Sequence, residues 1–422
     1  MISAWAHDTF ASLRYPQYRM LWIGTSLAFL AFMMSWVVQS VVAFDLTGKN
    51  ESVGIVGLGM GISQLLISPF GGVLADRVSK RRLLLIGQSS IAFSFAVVGV
   101  LILTDRITIP LLVASTFVMG FIFAFIAPAR QAWIGELLPA EAMANGIALQ
   151  QVAMTGTRII GPFIAGAFVA FSFVGSGGTY LFMAGLLIFV VVTLTKLPPT
   201  QSTAKRGSTV WGDMKLGLTH VAERPQLQLL VVSFIAVVIA GYSWQVLLPG
   251  LLENELGHSS KQLAWLMGMS AVSGLVVTLI LASRAGSPHA WKIMFLGAAA
   301  LGVSLILLGV TPNYVTALGI MLLLGAGTGA FQMLNNSLVM QVADAAYFGR
   351  VMALTMLAWG FNGLMGLPFG IMADRVGERQ TFLLMGVLVL GVTLLAVLWH
   401  LSVQRKLHAP GLAVGPRLAG GK

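Results

Sequence analysis

Uncharged apolar stretches recur along the whole chain, separated by short segments that carry nearly all of its charge. Twelve stretches approach or exceed the roughly 20 apolar residues needed to cross a bilayer as a helix. The first six are 20–44, 53–75, 83–103, 109–128, 142–171 and 179–197. The second six are 227–250, 262–283, 291–310, 314–338, 351–373 and 380–400. In lipid only helices and closed barrels satisfy their own backbone. Barrel strands alternate apolar and polar residues, and these stretches do not. The pattern therefore predicts an all-α integral membrane protein with twelve transmembrane helices in two six-helix bundles.

Composition sharpens this. Of 422 residues, 57% are hydrophobic and only 9% charged, where soluble domains carry about 25% charge. A soluble globule, a disordered chain and a collagen-like chain are excluded. The chain has no cysteine, so disulfides, thiolate metal sites and cysteine nucleophiles are excluded as well. The first 20 residues include Asp8, Arg14, Pro16 and Arg19 and lack the apolar core of a cleavable signal peptide. Net charge is +11, which in a soluble protein would suggest nucleic acid. Here it follows the distribution of basic residues across the membrane. With the N-terminus inside, 19 of the 25 Lys and Arg fall on the cytoplasmic side and 5 on the outer side, with Arg158 inside a span. That bias predicts both termini in the cytoplasm. The domains read as 1–197 and 227–400, joined by a cytoplasmic linker, 198–226, with a short surface helix near 210–223. A loosely ordered cytoplasmic tail, 401–422, follows.

The halves resemble each other. Ser35-Trp36 matches Ser243-Trp244, Gly59-Met60 matches Gly268-Met269, and the segment at Gly146 matches the segment at Val351, all at a nearly constant offset. This predicts two parallel six-helix repeats about an axis normal to the membrane. A second match crosses the membrane. Span two ends Pro69-Phe70-Gly71-Gly72 and then Asp76-Arg77-Val78, while span eleven ends Pro368-Phe369-Gly370 and then Asp374-Arg375-Val376. One pattern at opposite faces is what an inverted three-plus-three repeat within each half produces, the arrangement behind alternating access.

At these residues the chain resembles the major facilitator superfamily, over about 15–400. The family's loop between spans two and three reads G-x-x-x-D-[RK]-x-G-x-[RK]-[RK]. Here it is Gly72, Asp76, Arg77, Ser79, Lys80, Arg81 and Arg82, with Ser79 in place of the second glycine. Gly161-Pro162 and Gly166 are similar to a segment found often in exporters. Pro128-Ala129-Arg130-Gln131-Ala132, Glu136 to Pro139, Asp45 to Gly48 and Gly349-Arg350-Val351 resemble the branch of the enterobactin exporter and macrolide-efflux proteins. The resemblance implies a gate in which Asp76 meets the start of span eleven near Arg350, with Arg130 as a second partner. Gly72, Arg77, Arg81 and Arg82 belong to the same gate. Part of this basic cluster needs no gate to explain it, being ordinary positive-inside bias.

Arg158 is the one charge deep inside a span, where it costs about 2.5–3.5 kcal/mol on insertion scales. Such a residue faces a cavity or a partner; the bland alternative is an arginine bonded to backbone carbonyls near Pro162. Ser35, Trp36 and Gln39 in span one, Trp244 and Gln245 in span seven, Gln332 in span ten, and Trp359 and Asn362 in span eleven describe an apolar pathway with sparse polar anchors. Each taken singly fits helix packing as well. The glycines at 57, 59 and 61 read as packing, since no Lys-Ser/Thr follows to make a phosphate loop. No acidic residue or histidine lies at mid-membrane. Proton coupling, if present, is left with Asp45 and Glu253 at outer helix ends.

The sequence thus reads as a secondary transporter in a bacterial cytoplasmic (inner) membrane that exports a small amphipathic or drug-like molecule by alternating access, with proton antiport as the mode of coupling considered. An importer, a lipid flippase and a non-transporting receptor are the alternatives. An intramembrane enzyme lacks the converging catalytic groups it would need. The partners are a small-molecule substrate, the bilayer and, where transport is coupled, protons. No nucleic acid, cofactor or metal is expected, and the chain reads as a monomer.

Overall fold

A computed structural model describes residues 11–171, 173–198, 210–259, 262–282, 287, 289–344 and 347–408, all helix, turn or loop. The side chains of Gly72, Asp76 and Arg77, linker residues 199–209 and the tail beyond 408 lie outside the described residues. The spans run Pro16–Asp45, Asn50–Arg77, Lys80–Leu103, Ile109–Leu137, Ala140–Ala170 and Gly175–Thr195. A linker helix, Val210–Ala222, follows. Span seven comprises Pro225–Gly241 and Trp244–Gly250. Spans eight to twelve are Leu263–Ala282, Ala290–Gly309, Tyr314–Val342, Phe348–Val376 and Glu378–His408. Eleven spans are long and apolar enough to cross a membrane among the described residues. Asn50–Arg77, at 28 residues about 42 Å long, is the twelfth.

Local chemistry sets several of these boundaries. Proline opens spans one, four and seven, where its missing N–H costs nothing. Asn313 caps span ten by accepting from the Thr316 amide at 2.9 Å. Span seven differs from its expectation as one helix over 227–250. It breaks at Tyr242-Ser243, restarts at Trp244, and widens into a π-helical turn, Leu251–Glu255. Pro249 accounts for the second irregularity: it cannot donate within the helix, and the following turn closes one residue wider, with the Leu256 amide on the Leu251 carbonyl.

The packing follows the repeat. Span one lies on five and six, as seven lies on eleven and twelve. Span two lies on four, as eight lies on ten, and three on six, as nine on twelve. The two largest contacts between the halves are span two with eleven and span five with eight, and the same two-fold exchanges them. Small residues permit the first. A Cβ at Gly54 would fall 2.5 Å from the Gly366 carbonyl oxygen, and one at Gly61 would fall 2.9 Å from that of Gly360. The second is similar: a Cβ at Gly166 would meet Ala264, and Phe163 lies over Gly268 with its ring edge-on to Trp265 at 5.4 Å.

These contacts run from the end where span two begins and span eleven ends, called here the Asn50 end, to mid-span at Gly61 and Gly360. Toward the Asn50 end the second segment of span seven also packs on spans one and two. Toward the opposite, Lys80 end, spans four and five make no comparable packing with ten and eleven among the described residues. The halves are closed at one end and parted at the other.

Candidate functional site

The closed end is fastened by polar groups that cross between the halves. Asp374, near the end of span eleven, accepts from the Asn50 amide at 2.9 Å and the Glu51 amide at 2.8 Å. These are the first two N–H groups of span two, which lack partners inside their own helix and carry its positive dipole end. A carboxylate from one half thus caps a helix of the other. The Asn50 side chain donates to Asp374 at 3.1 Å and to Glu378 at 2.9 Å. Glu378 is only 4% exposed and also accepts from Asn254 at 2.6 Å. Beside it Arg379 donates to Glu255 at 2.5 Å and to the Thr311 carbonyl at 2.7 Å. Gly377 turns the chain between Asp374 and Glu378 at φ 100°, ψ 152°, a conformation essentially confined to glycine.

At the Lys80 end the described polar contacts stay within one half or tie it to the linker. Lys80, 2% exposed, is ion-paired with Glu136 of span four. Arg81 donates to the Thr195 carbonyl and, at 3.3 Å, to that of Leu194, at the negative end of span six. Arg82 is exposed. Arg350 has its guanidinium over the Tyr347 ring and its Cβ against Gly217 of the linker helix. His220 of that helix stacks on Tyr347 at 4.2 Å, and Arg224 pairs with Asp344 at 2.5 Å. Arg130 lies inside the N-terminal bundle, 5% exposed, 5.8 Å from the Phe29 ring centre, in a small cavity shared with Gln88 and Phe123.

Between the two ends lies the parting of the halves, and Arg158 stands on its wall. Its helix stripe settles the direction. Positions 158, 162 and 165 share one face of span five. On the flanks of that face Gly161 meets Met33 of span one, and Gly166 meets Ala264 of span eight. Pro162 and Ala165 are buried where the halves close, and Arg158, a turn further toward the Lys80 end, is accessible. Protein nevertheless surrounds it on most sides, and it interacts electrostatically with Tyr242 of the other half. This describes a cavity wall rather than a lipid face.

Tyr242 sits at the break in span seven. Its ring is edge-on to Trp359 at 5.6 Å and its hydroxyl donates to the Thr328 carbonyl at 3.5 Å. The next residue, Ser243, donates to the Asn362 side-chain oxygen at 3.1 Å. The break thus brings Trp359 and Asn362 of span eleven to Tyr242, across from Arg158. Gln245 and Gln332 are half-buried and Trp244 is 5% exposed. In span one, Gln39 is buried, and buried Ser35 donates to the Phe32 carbonyl at 2.8 Å and to Met119 Sδ at 3.5 Å. Trp36 is edge-on to Phe32 at 6.2 Å. Asp45 and Glu253 are both exposed at the Asn50 end.

Several residues of this arrangement are not site candidates in the sequence, among them Asn50, Asp374, Glu378 and Tyr242. Asp374 had a signal. Gly370, Asp374, Arg375, Gly377 and Arg379 reproduce the spacing of the loop between spans two and three, with the glycine that Ser79 replaces there. Asn50 and Glu378 had none, since their partnership spans 328 residues.

Comparison with known proteins agrees with this architecture. Residues 21–366 match the model of the Major Facilitator Superfamily. The chain is 26% identical to the staphyloferrin A transporter of Staphylococcus aureus, over 91% of this chain and 97% of that one. It is 20% identical to macrolide efflux protein A of Streptococcus pyogenes, over 89% and 93%. Among solved structures it is similar in fold to the nucleoside transporter NupG, with a TM-score of 0.75 at 14% identity, covering 91% of this chain and 99% of that one. With its twelve spans, its two-fold repeat and a family model matched over most of its length, the chain belongs to the Major Facilitator Superfamily.

Proposed function

We propose that this protein is a secondary transporter that exports a small amphipathic organic molecule across a bacterial cytoplasmic membrane, with both termini in the cytoplasm. The observation that carries the reading is the asymmetry of the two ends around a shared cavity. The halves are sealed at the Asn50 end, parted at the Lys80 end, and lined between by Arg158, Tyr242 and Trp359. On the orientation predicted by the basic residues, the Asn50 end is outer and the cavity opens to the cytoplasm. Alternating access exchanges this state for one in which the outer lock opens and Asp76 caps the start of span eleven, as Asp374 caps span two here. Relatives named for a transported ligand and for efflux support a small-molecule cargo and an outward direction.

Everted membrane vesicles given a panel of fluorescent amphiphiles, with and without an imposed proton gradient, test this. Uptake into vesicles carrying the protein, above vesicles without it, is the expected result. Absence of uptake across the panel, alongside a correctly inserted protein, sinks the export reading. The same vesicles examine coupling. If protons drive the flux, the double variant Asp45→Asn, Glu253→Gln loses gradient-driven uptake and keeps substrate exchange. Proton-driven uptake that survives in the double variant removes both carboxylates as carriers. Orientation is read separately. The chain has no cysteine, so a single cysteine at Lys49 reacts with an impermeant maleimide from outside intact cells, and one at Arg82 does not.

A further inference from the structure

We infer that the transported molecule is an organic anion and that Arg158 is the residue that selects for it. The inference rests on the transport reading above and deepens it by naming the substrate class.

The charge inventory of the cavity comes first. Arg158 is the one charged residue near the middle of an apolar span, buried Arg130 standing two turns from the Lys80 end of span four, and no carboxylate or histidine stands at its depth in the sequence. Among the described residues it has neither an ion-pair nor a hydrogen-bond partner, and its one electrostatic neighbour is the neutral phenol of Tyr242. Its own bundle places no carboxylate at its depth, and Glu136, at the Lys80 end, is taken by Lys80. Arginine stays protonated in such a site, so the open cavity carries net positive charge. A cationic amphiphile entering it would meet a like charge and find no carboxylate to pair with. An anion supplies the missing partner.

The shape of the site narrows the class. A guanidinium presents a planar fork of N–H donors that matches a carboxylate through two parallel bonds. Facing it, Tyr242 and Trp359 form an edge-to-face pair that offers an aromatic wall at the break in span seven. Ser243 donates to the Asn362 side-chain oxygen, and neither residue contributes charge. Arg158 belongs to the N-terminal half and the aromatic pair to the C-terminal half, so a molecule with a carboxylate at one end and an apolar or aromatic body at the other would touch both. A ligand bridging the two halves is one whose binding can differ between the two states, the condition for transport.

The test uses three naphthalene compounds of nearly one shape: 2-naphthoate, 2-naphthylmethanol and 2-naphthylmethylammonium. Binding to the purified full-length protein in detergent is measured by calorimetry. The wild type is expected to bind naphthoate about tenfold or more tighter than either of the others, on the strength of a charge-assisted pair. In Arg158→Gln that preference disappears and naphthoate binds about as weakly as the alcohol. Arg158→Lys keeps the sign of the preference and loses part of its size, because a point charge replaces the fork. Thermal unfolding of each variant reports folding. If Arg158→Gln does not fold, the wild-type charge series and Arg158→Lys decide alone. Equal binding of the three compounds, tighter binding of the ammonium compound, no naphthoate binding by the wild type, or an unchanged preference in Arg158→Gln each overturns the inference. The export reading fails independently. Anion-selective binding with no uptake in everted vesicles leaves Arg158 as the selector and removes the transporter. Uptake of cationic dyes without anion preference does the reverse.

Discussion

On the orientation proposed above, spans two and eleven meet at the outer face, where a carboxylate carries bonds from one half to the other, although similar sequence closes both helices. At the outer end the carboxylate of Asp374 leaves its own half and caps the first two amides of span two. At the cytoplasmic end of that orientation the described ion pairs and carbonyl contacts stay within one half or its linker helix: Lys80 with Glu136, Arg81 with the end of span six, Arg224 with Asp344. An acidic residue at the end of one helix is thus a latch whose engagement depends on whether the facing helix start lies within reach. The inverted repeat places such a residue at each end. The structure engages the outer one, and the cytoplasmic one, Asp76, has its counterpart at the start of span eleven in the alternate state we propose.

The comparison breaks most completely if the outer ends cannot approach. Gly54→Leu drives a side chain into the Gly366 backbone, where even a Cβ would sit 2.5 Å from the carbonyl oxygen. Flux is expected to fall to background while the protein still inserts, and a reporter cysteine at Asn50 becomes reactive from outside. Gly57→Ala is the control within the same helix. Its nearest neighbour, the Gly363 oxygen, would lie 3.7 Å away, so flux remains close to wild type. If the two variants behave alike, close approach at Gly54 is not what seals the outer face.

Removing the outer charge comes next in size. Asp374→Asn keeps the shape and loses the anion at the dipole end of span two. A charge-assisted hydrogen bond is worth about 1.5–3 kcal/mol, and exposure of Asp374 to water reduces the pair to about 1–2 kcal/mol in total. That is a factor of about 5–30 in the balance between closed and open outer states. Labelling of a cysteine at Asn254 from outside, with and without the substitution, reads this shift. No change in labelling rate would mean that packing alone holds the end shut.

The sequence made the spans legible because apolar runs and lipid leave helices little alternative, and it made Arg158 legible because a lone charge in such a run has no ordinary explanation. It did not reveal the break in span seven. Tyr242-Ser243-Trp244 is more polar than its flanks but uncharged, and its match in span one, Ser35-Trp36, lies in an unbroken helix, so only Pro249 seven residues on hinted at an irregular backbone. The outer lock was half legible. Asp374 stood in a visible copy of the loop between spans two and three, whereas Asn50 and Glu378 are ordinary polar residues whose meaning arises only when two distant helix ends meet.

At the cytoplasmic end, Asp76→Asn tests whether the second latch works in turn. A carboxylate near a helix N-terminus is worth about 0.3–1 kcal/mol, so flux is expected to fall about two- to fivefold at unchanged expression. Outside labelling of Asn254→Cys should move opposite to its response in Asp374→Asn, since weakening the cytoplasmic latch favours the outer-closed state. A shift in the same direction for both would show that the two acids do not oppose each other.

The smallest effect separates the two copies by backbone rather than charge. Gly377 adopts φ 100°, ψ 152°, where a Cβ is strained, while Ser79 at the corresponding place in the cytoplasmic copy adopts φ −53°, ψ 120°, open to any L-residue. The serine is therefore no defect in the pattern: the turn there does not need glycine's freedom. Gly377→Ala should cost about 1–3 kcal/mol of stability, read as a drop of several degrees in melting temperature, with flux per folded molecule little changed. Ser79→Gly, which restores the family's glycine, should cost less than about 1 kcal/mol through added freedom of the unfolded chain. Were Ser79→Gly to raise the melting temperature while Gly377→Ala left it unchanged, the two turns would have exchanged roles, and the conformations at the two ends would have to differ from those described.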